Sequence, residues 1–381
     1  MSTSTQNVTH LTAYREWAAR PADERFQSVD TLYASALAQT THTRESLVSV
    51  PSLQVEPLEH ACGLALGVPG SGRYAFTHWS FGQLAALVGA GNTSILRKIR
   101  AEIAAAAMND LLGKIGRQPT AKLYVDESAR VVRALTAEGY GRVSNTDVTL
   151  EVLRLMFERP ALHLPLSDAD SGSATKHVPS GAYLGDRDMF VFLVDSDRYL
   201  DDPTDRSRQG MLRGIMVRNS DVGAASLEWD VFYHRGVCSN RIIFGFRHLE
   251  GRRRRHVRSL IRDWRQEFVA IRAALDRDTT RDRELVRRAQ QVRVVTGAGP
   301  RSRQALRAEV VETIGVWSRR TVPAAIIGSA FDYAEQHEPD ATTVWGMVQG
   351  LTALSQRTPY QDARFALDRV ATSLLRRVPH D

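Results

Sequence analysis

Arginine dominates the residues of this chain that could do chemistry. Arg252, Arg253, Arg254 and Arg255 are consecutive, and Arg258, Arg262 and Arg265 follow at spacings of three and four. A guanidinium carries a permanent charge and a fixed fork of donors, which suits phosphate and carboxylate oxygens. Residues 252–307 hold 17 Arg and Lys against 6 Asp and Glu, net +11, whereas residues 1–251 hold 26 against 28, net −2. Charge concentrated in this way fits a polyanion better than a small ligand. Only Lys98, Lys114, Lys122 and Lys176 are lysines, so 46 of the 50 basic residues are arginine. A GC-rich coding sequence accounts for that choice of residue, but not for the clustering.

Other chemistry is thinly represented. The 11 histidines are scattered, with no HExxH and no pair at helical spacing. His234 shares the polar side of one strand with Glu228 and Asp230, a set that could exchange protons but reads more simply as a face that is solvated or lies across from another strand. Asp186, Asp188, Asp195 and Asp197 flank another strand and could ligate magnesium, although acids at strand ends more commonly mark solvated loops. The glycine-rich run 67–74 lacks the Gly-Lys-Ser/Thr end of a phosphate loop and reads as a turn. No catalytic residue, metal ligand or cofactor is assigned.

The elements that must position the arginines are legible from periodicity. Ala225, Leu227, Trp229, Val231 and Tyr233 alternate with Ser226, Glu228, Asp230 and His234, so 225–234 is a strand with one buried face. The segment 213–218 precedes it across the turn Asn219-Ser220-Asp221-Val222-Gly223, and 240–246 follows it, which predicts an antiparallel three-stranded meander. A long helix follows, with Val257, Leu260, Ile261, Trp264, Phe268, Ile271 and Leu275 as its apolar stripe. On that helix Arg255, Arg258, Arg262, Arg265 and Arg272 share one flank, and Asp263 and Glu267 the other.

The rest of the chain reads as supporting structure. Helices are predicted over 11–19, 22–38, 100–114 and 145–158, the last capped by Asn145. Strands are predicted over 47–55, with Pro51 at an edge or a break, and over 61–68, 73–77, 121–126, 130–136 and 189–195. Residues 81–99 carry a helix-turn-helix pattern whose Ser94, Arg97 and Lys98 could reach DNA, or a packed helical hairpin. Helices at 302–316, 324–336, 343–355 and 361–376 close the chain. The expected fold class is α+β: an antiparallel sheet crossed by a long basic helix, with a helical C-terminal part. The expected divisions are an N-terminal helical arm (1–44), the α+β core (45–295) and the helical region (296–381).

No apolar run is long enough to span a bilayer and no signal peptide is visible, so a cytoplasmic protein without a membrane partner is expected. The two cysteines, Cys62 and Cys238, have no metal-ligand spacing and read as buried thiols.

Several phrases together resemble the phage/plasmid-like family known as domain of unknown function 932, found on phages, prophages and plasmids. They are 23–26 (DERF), 79–89 (WSFGQLAALVG), 132–148 (VRALTAEGYGRVSNTDV), the stretch 217–240 and 342–356 (TTVWGMVQGLTALSQ). The resemblance implies that Tyr140, then Asn219, Ser220, Asp221 and Gly223, then Cys238 and Asn240, then Trp345 are pattern positions. The Cys-Ser-Asn at 238–240 stands where Cys-Thr-Asn or Cys-Ala-Asn is expected. The family name implies a mobile-element context and no activity.

Three functional readings result. In the first the chain binds nucleic acid, read as DNA with single strands and duplex both open, as a homo-oligomeric accessory factor of recombination or replication. The meander crossed by a basic helix is similar in architecture to the core of single-strand annealing proteins. The alternatives are a metal-dependent enzyme acting on nucleic acid and a non-enzymatic interaction or anti-defence protein.

Overall fold

The structure is a computed structural model. It describes residues 25–58, 63–91, 93–115, 119–168, 177–179, 181–200, 210–235, 243–244, 251–296, 302–319, 321–357, 367 and 370–379. The helix predicted at 11–19, together with Cys62, Cys238 and Asn240, lies outside these residues.

After the short strand β1 (Arg25–Phe26), helix α1 (Val29–Thr41) starts at Ser28, whose Oγ accepts the Thr31 N–H at 3.1 Å. Pro51 splits the next extended run, as its missing N–H requires, leaving β2 (Thr43–Ser49) and β3 (Gln54–Pro57) on either side of a 3-10 turn. Strands β4 (Leu64–Val68) and β5 (Gly72–Phe76) form a hairpin, followed by helices α2 (His78–Leu87), α3 (Thr93–Leu96) and α4 (Ala101–Gly113) and the hairpin β6 (Thr120–Asp126), β7 (Val131–Ala137). These strands make one sheet in the order β2-β6-β7-β5-β4-β3, antiparallel except for β5 with β7. Leu66, Leu84, Met108 and Leu123 are central to its core beneath α2 and α4.

Helix α5 (Asn145–Glu158) leads into the second, larger sheet. Its strands are β8 (Leu162–His163), β11 (Ala182–Leu184), β12 (Met189–Leu200), β13 (Met211–Asn219), β14 (Leu227–Arg235), β15 (Ile243–Phe244) and β16 (Gly251–Arg254), joined by β1 at one edge. All of its pairings are antiparallel. Strands β9 (Leu166–Asp168) and β10 (His177–Pro179) pair separately. Helices α6 (Leu260–Asp263), α7 (Gln266–Asp276) and α8 (Thr280–Ala289) follow, and then α9 (Arg303–Trp317), α10 (Ala324–His337) and α11 (Val344–Arg357). The fold is α+β, with one antiparallel and one mixed sheet and C-terminal helices; the α+β class is as expected. No helix among the described residues is long and apolar enough to cross a membrane.

The basic segment departs from its expected form. Arg252, Arg253 and Arg254 do not lead into a helix; they form β16, registered against Trp229, Glu228 and Leu227 of β14. The long helix is two pieces, α6 and α7, because the N–H groups of Glu267 and Phe268 reach back three residues, to Trp264 and Arg265, and tighten the turn. Its buried stripe is Leu260, Trp264, Phe268, Ile271 and Leu275, while Val257 and Ile261, on the flank of that stripe, are exposed. Helix α5 is capped by Ser144, whose Oγ accepts the Asp147 N–H at 2.9 Å, and not by Asn145, which is buried.

The expected divisions also shift. Helix α1 is no separate arm: Val29, Leu32 and Ala36 belong to the core shared by α5, α7 and the large sheet. The α+β part has two sheets with separate cores. The C-terminal helical core takes in Leu200, Met211 and Tyr233 from the large sheet, and Tyr233 Oη donates to the buried Asp282 of α8.

Candidate nucleic-acid interface

The turn between β13 and β14 is where the two sheets meet. Asn219, Ser220 and Asp221 are buried, and Gly223 turns the chain with φ +86, a conformation that glycine adopts without steric cost. Val222 O accepts from Trp79 Nε1 at 3.0 Å and from Gln83 Nε2 at 2.8 Å, while Gln83 Oε1 accepts the Leu135 N–H at 3.0 Å. Asn219 Nδ2 donates to Val143 O at 3.0 Å and Asn145 Oδ1 at 2.9 Å. Tyr140 Oη donates to Ser220 O at 3.0 Å. Asp221 forms a buried ion pair with Arg133 at 3.4 Å, with 2% and 8% of their side chains exposed, respectively.

Arg142 completes this node. It donates to Asp221 O and, at 2.6 Å, to Glu45, and its guanidinium lies 3.8 Å from the centre of the Tyr124 ring. Burial pushes the Glu45 carboxyl up, but Arg142 and Lys122 outweigh it and hold the group below the ordinary carboxylate range. Burial, with Asp221 nearby, raises the Tyr124 phenol to about 12, and burial also raises that of Tyr140.

The node is joined to the arginine segment by backbone. Gly141 N–H donates to His256 O at 3.2 Å, the His256 Nδ1 is 3.1 Å from Gly141 O, and the Tyr140 and His256 rings stack. A Cβ on Gly141 would lie 2.1 Å from Val257 O, so this crossing needs glycine. His256 is buried, and burial lowers its pKa, which places a neutral imidazole at the crossing.

The seven predicted contact arginines divide into two groups. Arg254 is consumed internally: it donates to Glu267 at 2.7 Å and pairs with Asp263 at 3.1 Å, and the buried Glu267 also accepts Trp229 Nε1 at 3.0 Å. Arg265 pairs with Glu151 at 3.3 Å and Arg272 with Glu158 at 2.6 Å, two rungs seven residues apart that tie α7 alongside α5. Arg252 and Arg258 reach Glu267 and Glu138 only at 3.9 Å, and the Arg258 side chain is 74% exposed. Arg253 donates to Ser226 Oγ at 3.2 Å. Arg253, Arg255 and Arg262 are exposed and have no carboxylate at ion-pair distance among the described residues. Arg252, Arg253, Arg255, Arg258 and Arg262 are thus exposed along this segment, as are Val257 and Ile261.

The remaining candidates fall elsewhere. Tyr140, Asn219, Ser220, Asp221 and Gly223 come together, whereas Trp345 is buried in the C-terminal core. His234 is buried, and on its side of β14 Phe232 packs against Phe190 and Phe192, so that side is not a solvated face. Asp188 is buried against Arg218 at 3.0 Å, and Asp195 Oδ1 accepts the Asp197 N–H at 2.9 Å. No group of three His, Cys, Asp or Glu side chains among the described residues could hold a metal ion. Helix α3 is four residues long, too short for a recognition helix, and Arg97 turns back to donate to His78 O at 2.8 Å. Sequence reasoning missed Arg133, Arg142, His256 and Glu267, whose partners lie far along the chain.

Comparison with protein-family models, curated proteins and solved structures finds no significant match to this chain.

Proposed function

We propose that the chain binds nucleic acid, with DNA as its partner, as an accessory factor of recombination or replication on a mobile element. The observation that carries this reading is the set Arg253, Arg255 and Arg262, exposed on one segment and without carboxylate partners among the described residues. Arg254, Arg265 and Arg272 nearby are neutralised within the chain; among the described residues Arg253, Arg255 and Arg262 find no such partner. Exposed guanidinium groups release condensed counterions when they meet phosphates, which is a large favourable term at low salt. Val257 and Ile261 stand beside them and offer apolar surface to sugars and unpaired bases, which favours a single strand over a duplex. The mobile-element context rests on the sequence resemblance alone.

The test is binding to single- and double-stranded oligonucleotides across a salt series. Expected are tighter binding to the single strand and a steep loss of affinity with salt. Absence of binding at low salt, or binding indifferent to salt, would remove the reading.

A further inference from the structure

Protein sheets seldom leave a long edge strand bare, because its unpaired N–H and C=O groups recruit other strands. At one end of the six-stranded sheet the rule is obeyed: Asn109 of α4 accepts the Val55 N–H at 2.8 Å and donates to Val55 O at 2.9 Å, closing β3 as a neighbouring strand would. At the other end β2 pairs with β6 on one side, and among the described residues none pairs with it on the other.

The bonds that bracket β2 fix which groups are free. His42 O accepts the Glu127 N–H at 2.8 Å and Val50 N–H donates to Pro119 O at 2.9 Å, so even-numbered residues direct their backbone groups to β6. Glu45 and Leu47 therefore direct theirs outward. The charges that would ordinarily guard such an edge are paired within the chain: Arg44 with Glu127 at 2.6 Å, and Glu45 with Arg142 at 2.6 Å and Lys122 at 3.4 Å. Leu47 is left 57% exposed.

We infer that this edge takes a second copy of the chain, β2 against β2 in antiparallel register about Ser46, making one continuous sheet through both subunits. In that register Glu45 and Leu47 of each copy exchange backbone hydrogen bonds. Ser46 faces Ser46, Arg44 faces Val48 and Glu45 faces Leu47, so no like charges stand opposite. A register one residue pair away would set Glu45 against Glu45. A two-fold contact of this kind is self-complementary and closed. The inference is independent of nucleic-acid binding.

Ser46 would lie at a closely spaced, non-hydrogen-bonded pair, where Cα atoms are about 4.5 Å apart, within the range of a disulfide. The experiment uses the full chain with Cys62 and Cys238 replaced by serine. In it, Ser46→Cys should form a covalent dimer under mild oxidation, and Ser49→Cys should not. Sedimentation of the unmodified chain should show a dimer that Leu47→Pro and Leu47→Lys each convert to a monomer with an unchanged circular dichroism spectrum. A chain that is monomeric at its solubility limit would overturn the proposal. So would a dimer that survives both folded variants without the Ser46→Cys cross-link, or an edge occupied by a different protein while the chain alone stays monomeric.

Discussion

The Tyr140 ring stacks on the His256 imidazole with centroids 5.2 Å apart and planes inclined by 22°. Tyr140 Oη is bonded to Ser220 O, and His256 immediately follows Arg252–Arg255. This stack therefore connects the turn between β13 and β14 to the basic surface. It makes the position of the arginines depend on the packing of the two sheets.

Acid should weaken that connection. His256 has its pKa lowered from the ordinary 6.5, first by burial and then by Arg142, while Gly141 O and Asp221 pull the other way. The unfolded chain therefore takes up the proton before the folded one, so stability is full above about pH 6.5 and falls as pH drops below it. Urea unfolding at about pH 7 and about pH 5 should show this loss, with His256→Gln flattening it. An identical loss in the variant would assign the acid sensitivity to other groups.

Arg133→Met leaves Asp221 buried without its ion-pair partner. Removing one member of a buried pair costs about 3 kcal/mol. Thermal unfolding of the variant should reveal a loss of this size. A shift no larger than that of an exposed control, Arg73→Met, would show that the pair is not a keystone of the node.

Gly141→Ala places a Cβ against Val257 O, whereas Gly139 has nothing within 4 Å of the same position. Gly141→Ala should destabilise the chain by about 2 kcal/mol, and Gly139→Ala far less. Equal denaturant midpoints for the two variants would contradict the crossing described here.

Within the basic segment stability and binding should separate. Arg254→Ala removes the partner of Glu267 and Asp263 and should lower the melting temperature with little change in oligonucleotide affinity. The triple variant Arg255→Ala, Arg258→Ala, Arg262→Ala should melt normally, bind weakly and flatten the log-log salt slope by about two units, given roughly 0.7 per phosphate contact. Unchanged affinity and slope in the triple variant would exclude this surface as the contact.

Local periodicity by itself determined the meander, the buried face of β14, the hairpin of β6 and β7 and the apolar stripe from Leu260 to Leu275, because each depends on burying one face of a single element. It also marked the turn at 219–223, since Asn, Asp and Gly bear the dihedrals a reversal needs. Tertiary structure alone decided what those elements meet. Arg254 looked like its neighbours until the register of β16 with β14 set it against Glu267, and Arg133, Arg142 and His256 gave no local sign of converging on one turn. Periodicity reports that a face is buried and not which distant residue buries it. An arginine's availability to a partner depends on carboxylates that approach through space, here from 138, 151, 158, 263 and 267.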